Sequence, residues 1–400
     1  MSSKNLEKIA ERYLKKTFNE TYRPSNGIND FLVKIRECLD VDYLHADPMS
    51  IQWGVTSNCN LRCKHCYYAE TKDKFTSKND LSTEQALDLI DFFDELNAFH
   101  IILTGGEPFL RKDIFKIIKK LKSKNMILYV HTNGTLIDKK TAQKLSELLT
   151  PQMDIVQVSL DGYSDNVHDS TRGKDSYNYT IDGIKNLIEA GIKTYCNCTI
   201  TSLNLSEVPK LYRLSQELGV ENFSVSKFRN CCESQKYLVP DFGKLLELMN
   251  QLLDIEKGTT NLEFAATQVF DFINHNLGTK FLQKFYDKDK VTLSDFNMSC
   301  HKHDRLFVAG NGNVYLCGAA EKDEFSLGNV KKQSLTDIWD SRWNNIFFQK
   351  RPYKDFPCRK CQYFLVCKGG CAADAYEKYN TLNAPDKNCT LGKKMISLTT

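Results

Sequence analysis

Ile51-Gln-Trp-Gly-Val-Thr56-Ser-Asn-Cys59-Asn-Leu-Arg-Cys63-Lys-His-Cys66 is a short apolar run that breaks into a loop carrying three cysteines. Such a run, ended by polar turn residues, reads as a strand followed by a functional loop. Three thiolates are an odd number for a metal, because structural zinc takes four ligands and small iron–sulfur clusters are held by four. A cube held by three leaves one iron open to a substrate or cofactor. By spacing alone the loop is equally a zinc site, completed by His65 or by a distant cysteine.

The same strand-like pattern recurs downstream at 100–104, 126–131, 154–160, 192–200 and 222–226. Helical periods separate these runs, at 82–97, 114–124, 140–149, 179–190 and 206–218. Ser82-Thr-Glu-Gln85 has the form of a helix start, and Gly191 and Gly219 fall where helices take a left-handed cap. Strands alternating with helices predict parallel βαβ units. Six of them fall short of a closed eightfold barrel, so the fold expected is α/β, a partial (β/α)6 parallel barrel with a lateral opening. The divisions expected are 1–48, a helical or irregular extension; 49–265, the barrel; and 266–400, linker helices and a cysteine-rich domain.

The chain has 400 residues, 41% of them hydrophobic, and a net charge of +4. This near balance does not point to nucleic acid or an anionic membrane as the main partner. The N-terminus lacks the apolar core of a signal peptide, and no apolar run is long enough to span a bilayer, so a cytoplasmic location is expected. There, fifteen cysteines read as metal ligands more readily than as disulfides.

Active sites of parallel α/β folds gather at the C-terminal ends of strands. After the second strand comes Thr104-Gly-Gly-Glu-Pro108, with two glycines for close backbone approach and a carboxylate, Glu107, able to accept from an ammonium group. After the fourth comes Ser159-Leu-Asp-Gly162. The pair Cys59-x3-Cys63-x2-Cys66 and Gly105-Gly-Glu-Pro108 strongly resembles the radical S-adenosylmethionine (radical SAM) superfamily, over roughly residues 50 to 230. The resemblance implies that Cys59, Cys63 and Cys66 hold a 4Fe–4S cluster whose fourth iron is chelated by S-adenosylmethionine. It further implies that Gly105, Gly106 and Glu107 hold the methionine amino group, that His65 lies near the adenine, and that Ser159 and Arg172 are candidates for the carboxylate or ribose. Cleavage of the cofactor then yields a 5′-deoxyadenosyl radical. Asp161 and Asp169 lie near the same strand end, but neither has a context that marks a catalytic base.

Seven more cysteines follow: Cys300, Cys317, then Cys358-x2-Cys361-x5-Cys367-x3-Cys371, and Cys389. Runs 305–309 and 313–316 flank Gly310-Asn-Gly312 and predict a hairpin with a tight turn. Alone, the second block is a good zinc knuckle. In this order the seven resemble the SPASM domain, an auxiliary iron–sulfur extension of radical enzymes that mature peptides and proteins. By that resemblance Cys300, Cys317 and Cys371 hold one auxiliary 4Fe–4S cluster, and Cys358, Cys361, Cys367 and Cys389 a second. The first is then either open at one iron or closed by His301, His303, Asp304 or a remote cysteine. Cys196 and Cys198 alternate on one face of a strand, toward the core or the barrel lumen.

Sulfatase-maturing relatives carry an aspartate where this chain has Gly318. The function expected is therefore modification of a ribosomally made peptide by an intramolecular thioether or carbon–carbon cross-link. The expected partners are a separate leader-binding protein and a reductant such as flavodoxin or ferredoxin. Oxidation of a small molecule or haem-type precursor is the alternative. Formylglycine formation and non-catalytic redox sensing stand behind both.

Overall fold

A strand begins at Ser50 in the computed structural model, which describes residues 50–66, 76–255, 262–265, 305–348, 356–360, 369–387 and 389. The expected N-terminal extension, Cys300, Cys361, Cys367, His301, His303 and Asp304 lie outside the described residues. All six expected strands form: β1 (Ser50–Thr56), β2 (His100–Gly105), β3 (Ile127–Thr132), β4 (Ile155–Ser159), β5 (Thr194–Ile200) and β6 (Asn222–Lys227). Each pairs in parallel with the next. Helices make the crossovers: α1 (Thr83–Glu95), α2 (Ile114–Ser123), α3 (Lys139–Leu148), α4 (Asp165–Arg172), α5 (Ser176–Glu189) and α6 (Val208–Glu217), with α7 (Phe242–Ile255) after β6.

Local signals explain the element starts and stops. Ser82 Oγ accepts from the Gln85 amide at 3.2 Å while Gln85 Oε1 accepts from the Ser82 amide at 3.0 Å, so two of the donors left unpaired at the start of α1 are satisfied. Gly191 and Gly219 follow α5 and α6 at φ +71° and +86°, in the left-handed region. Side chains alternate across each strand. Ile51, Trp53, Val55, Leu103, Val130 and Val158 are fully buried in one core with the inner faces of the helices. Trp53 meets Phe93 of α1 edge to face at 5.5 Å, a contact worth about 1 kcal/mol beyond its burial. Cys196 and Cys198 lie in this core as small hydrophobes, with their thiols pushed up by burial. The opposite strand face carries Gln52, His131, Gln157, Ser159, Asn197 and Thr199 into the barrel lumen.

The sheet is larger than six strands. β7 (Leu262–Ala265) adds in parallel to β6. On the other edge, β8 (Arg305–Val308) pairs in parallel with β1, opposing Val308 to Trp53. The expected hairpin then runs from β8 to β9 (Asn313–Tyr315), and β10 (Gly328–Asn329) completes a ten-stranded sheet. The turn places Gly312 at φ +89°. The cysteine-rich segment thus grows from the edge of β1, covering the backbone groups an edge strand leaves unpaired. Two short helices follow: α8 (Leu335–Asp340) buries Leu335, Ile338 and Trp339 in the barrel core, and α9 (Ala372–Tyr379) joins Phe325 and Phe347 in a separate apolar cluster. Among the described residues, no helix is long and apolar enough to cross a membrane.

Candidate active site

The loop after β1 is tied down at several points. The Glu107 amide donates to Asn58 O at 2.7 Å, and the Gly106 amide to Thr56 O at 2.8 Å. Asn60 bonds Asn133 and Thr135 of the loop after β3 at 2.9 and 2.8 Å. The Lys64 amide donates to Thr171 O in α4 at 2.8 Å, and a Cys66–Cys63 turn closes at 3.0 Å. Both glycines of the motif serve this loop. A Cβ on Gly105 would meet the Thr56 carbonyl, and one on Gly106 the Asn58 carbonyl, so both must lack a side chain.

The three thiols open into one cavity of about 430 Å³, whose walls include Gly105, Gly106, Ser159, Arg172 and His65. The far wall is Arg229 and Cys317-Gly-Ala319 from the C-terminal extension. Six sequence-predicted cofactor or ligand positions thus meet Cys59, Cys63 and Cys66 in one space. Glu107 does not line it. Its carboxylate is fully buried under the loop, accepting from Thr132 Oγ1 at 2.8 Å and from the amides of Asn133 at 2.8 Å and Phe109 at 3.2 Å. Burial pushes this carboxyl up to about 7, against the pull of those donors.

Beneath Cys63 sits a charge cluster. Arg172 Nε lies 2.6 Å from Asp161 Oδ2 and Arg172 Nη1 lies 4.0 Å from Cys63 Sγ. His65 Nε2 is 3.5 Å from the same Asp161 oxygen. The Arg172–Asp161 contact is a buried ion pair. Burial would raise the Asp161 carboxyl, but Arg172, His65 and His168 outweigh it and hold it below the usual carboxylate range. Asp161 Oδ1 accepts from the Thr199 amide at 2.8 Å. Asp169 has a different role: it accepts from the amides of Asp175 and Tyr177 at 2.6 and 2.9 Å and caps the start of α5.

Burial also pushes the Cys59 thiol up to about 11 and raises Cys63, which Arg172 draws back. Such thiols need a cation to ionise. The donor set fits an iron–sulfur cluster and its sulfonium ligand: three thiols on one wall, a guanidinium, and His65 Nδ1 buried without a partner among the described residues. Among the described residues, no three His, Cys, Asp or Glu side chains are grouped as ligands of a single ion.

On the C-terminal side, Cys317 and Cys371 pack against one small apolar cluster with Phe325 and Phe347. Asp386 ties Cys371 to Cys389, its Oδ2 accepting from the Cys371 amide at 3.2 Å and its carbonyl from the Cys389 amide at 2.9 Å. Cys358 is buried. Arg229 joins the two halves. Its Nε meets Asp374 of α9 at 2.6 Å, its Nη1 donates to Ala319 O at 2.9 Å, and Lys387 meets Glu377 at 3.0 Å beside it. Neither Asp161 nor Arg229 carries a local sequence signal for its role. Only their closeness to strand ends hints at it.

An open parallel barrel with a three-cysteine loop above β1, facing a cysteine-bearing extension across a cavity, defines an iron–sulfur enzyme fold. Residues 53–214 match the family model of the radical SAM superfamily, and residues 300–362 match that of the iron–sulfur cluster-binding SPASM domain. The chain is 29% identical over 367 residues to the Fe-coproporphyrin III synthase of Methanosarcina barkeri, spanning 86% of this chain and 88% of that one. It is 26% identical over 350 residues to the mycofactocin maturase MftC of Mycolicibacterium smegmatis, spanning 86% and 83%. Among solved structures, Streptococcus suis SuiB bound to S-adenosylmethionine has the same fold, with a TM-score of 0.69 at 17% identity over 96% of this chain and 88% of that one.

Proposed function

We propose that this radical SAM/SPASM protein is a peptide-modifying oxidoreductase, forming an intramolecular thioether or carbon–carbon cross-link in a ribosomally made precursor. In this reading Cys59, Cys63 and Cys66 hold the 4Fe–4S cluster, and Gly105, Gly106, Ser159, Arg172 and His65 surround S-adenosylmethionine, with Glu107 bracing the glycines from below. Bound there, the cluster and cofactor would supply radical hydrogen-atom abstraction. Cys300, Cys317 and Cys371 serve one auxiliary cluster, and Cys358, Cys361, Cys367 and Cys389 another. The division into a barrel at 49–265 and an extension at 266–400 belongs to the same reading. So do a cytoplasmic setting, a reductant such as flavodoxin or ferredoxin, and a separate leader-binding protein.

The observation that carries the peptide reading is the lumen lining. Gln52 and Gln157 offer carboxamides that donate and accept like peptide groups, and Asn197 adds a donor, its Oδ1 already accepting from Ser224 and Ser226. Both arginines on the walls, Arg172 and Arg229, are already paired with the buried Asp161 and Asp374. SuiB, which shares the fold, has been solved bound to precursor peptide SuiA.

A second reading, oxidation of a porphyrin side chain, is favoured by the similarity to Fe-coproporphyrin III synthase. One experiment separates them. Reduced enzyme and S-adenosylmethionine are incubated anaerobically with peptides encoded beside the gene, and in parallel with iron coproporphyrin III, and products are weighed by mass spectrometry. A peptide lighter by two hydrogens supports the first reading; an altered porphyrin with unchanged peptides replaces it.

A further inference from the structure

Gln235 lies in the short 3-10 helix Glu233–Leu238 that follows β6, across the barrel mouth from the cysteine loop. It is 3% exposed. Its Nε2 donates to two carbonyls of that loop, Lys64 O and Cys66 O, each at 2.9 Å. Its Oε1 accepts from the Cys231 amide at 3.2 Å. Two acceptors on one side and a donor on the other fix the orientation of the carboxamide, because the flipped form loses all three bonds.

The other restraints on this loop come from elsewhere in the barrel. Glu107 holds Asn58, the loop after β3 holds Asn60, and α4 holds the Lys64 amide. Those ties fix the path up to Lys64. The Cys66 amide closes a turn onto the Cys63 carbonyl, and the Cys66 carbonyl is held by Gln235, so the third thiol is anchored from the β6 side of the open barrel as well as from its own loop. The first and sixth strands share no hydrogen-bond ladder, and the carboxamide links the loops that follow them.

We propose that Gln235 is a positioning residue for the cluster-binding loop, a two-pronged clasp that sets Cys66 relative to Cys59 and Cys63. The proposal rests on the reading of those three cysteines as cluster ligands. Gln235→Glu keeps the length and the acceptor toward Cys231 but turns an oxygen on the two carbonyls. Gln235→Leu removes donor and acceptor together.

The test follows both variants with and without iron. In the iron-free chain, the rate of Cys66 alkylation by iodoacetamide, resolved by mass spectrometry, should rise about tenfold in both variants, as expected for losing two buried hydrogen bonds. Alkylation of Cys317 and Cys371 and the circular dichroism should not change. In the reconstituted protein, the paramagnetic signal that S-adenosylmethionine perturbs should decay about tenfold faster under a chelator, while the remaining iron signal decays at the wild-type rate. Wild-type rates at Cys66 in both variants would overturn the clasp. The underlying reading fails separately: Cys59, Cys63 and Cys66 changed together to alanine would then leave the wild-type iron content and cofactor-sensitive signal intact.

Discussion

Arg172 stands between two groups it must serve at once, 2.6 Å from Asp161 Oδ2 and 4.0 Å from the Cys63 thiol. Both charged side chains are nearly or wholly buried. A buried pair of this kind adds little net stability, but removing one partner strands the other in a low dielectric. Asp161→Asn should therefore destabilise the iron-free chain by about 3–5 kcal/mol in urea unfolding. Arg172→Met should cost a similar amount. The double variant should cost clearly less than the sum, because no stranded charge remains. Strict additivity would show that the two are energetically independent.

Among the described residues, four histidines are held neutral by burial: His65, His131 and His168 down to about 4, and His100 to about 3. A histidine lowered from 6.5 favours the fold above its unfolded pKa, and that stability is lost as pH falls through 6.5 toward 4. The unfolded chain binds the extra protons in this window, so acid unfolds. His131, which faces the lumen and is shifted by burial alone, is the cleanest probe. Between pH 6 and 5, His131→Gln should flatten the slope of unfolding free energy against pH by about 1 kcal/mol per pH unit. An unchanged slope would mean that water or a neighbour lets the imidazolium form inside.

Gly106 bears on cofactor loading through backbone contact alone. A methyl group there would fall on the Asn58 carbonyl, one residue before the first cysteine. Gly106→Ala should displace the loop while leaving the C-terminal ligands alone. The expected result is loss of the iron that responds to S-adenosylmethionine, with the remaining iron retained, read by iron analysis and electron paramagnetic resonance. Full iron content with a normal response would show that the loop yields without cost.

The periodic elements were legible in the sequence because their signals are local. β1 to β6 alternate or run apolar, and the Ser82–Gln85 box and the Gly312 turn each declare themselves within four residues. α4 was not, since Asp-Asn-Val-His-Asp-Ser-Thr-Arg has one aliphatic residue and is fixed instead by the Ser164 cap and by Gly173 at φ +130°. Its end holds Arg172, so the charge cluster was hidden with it. The pairing of β8 with β1 was equally out of reach, because the choice of edge is made by contacts more than 250 residues apart in sequence. The cysteine triplet and Gly-Gly pair were visible as ligand chemistry. That the glycines first serve the loop's own backbone is a fact of three dimensions.

Arg229 couples the barrel to the extension. Its guanidinium holds the fully buried Asp374 on α9, three residues after Cys371, and the Ala319 carbonyl, two residues after Cys317. Lys387 is the second cation on Asp374, at 3.5 Å. Arg229→Met should leave Asp374 with that weaker partner and cost about 3 kcal/mol. The loss should be felt first in the extension, so amide hydrogen exchange should quicken over α9 and the Cys317 turn while the core of β1 to β5 stays protected. Asp374→Asn on top of Arg229→Met should restore part of the protection, because the stranded carboxylate is gone. If exchange instead rises equally through the barrel, the two halves unfold as one unit, and the Arg229 cluster is part of a shared core.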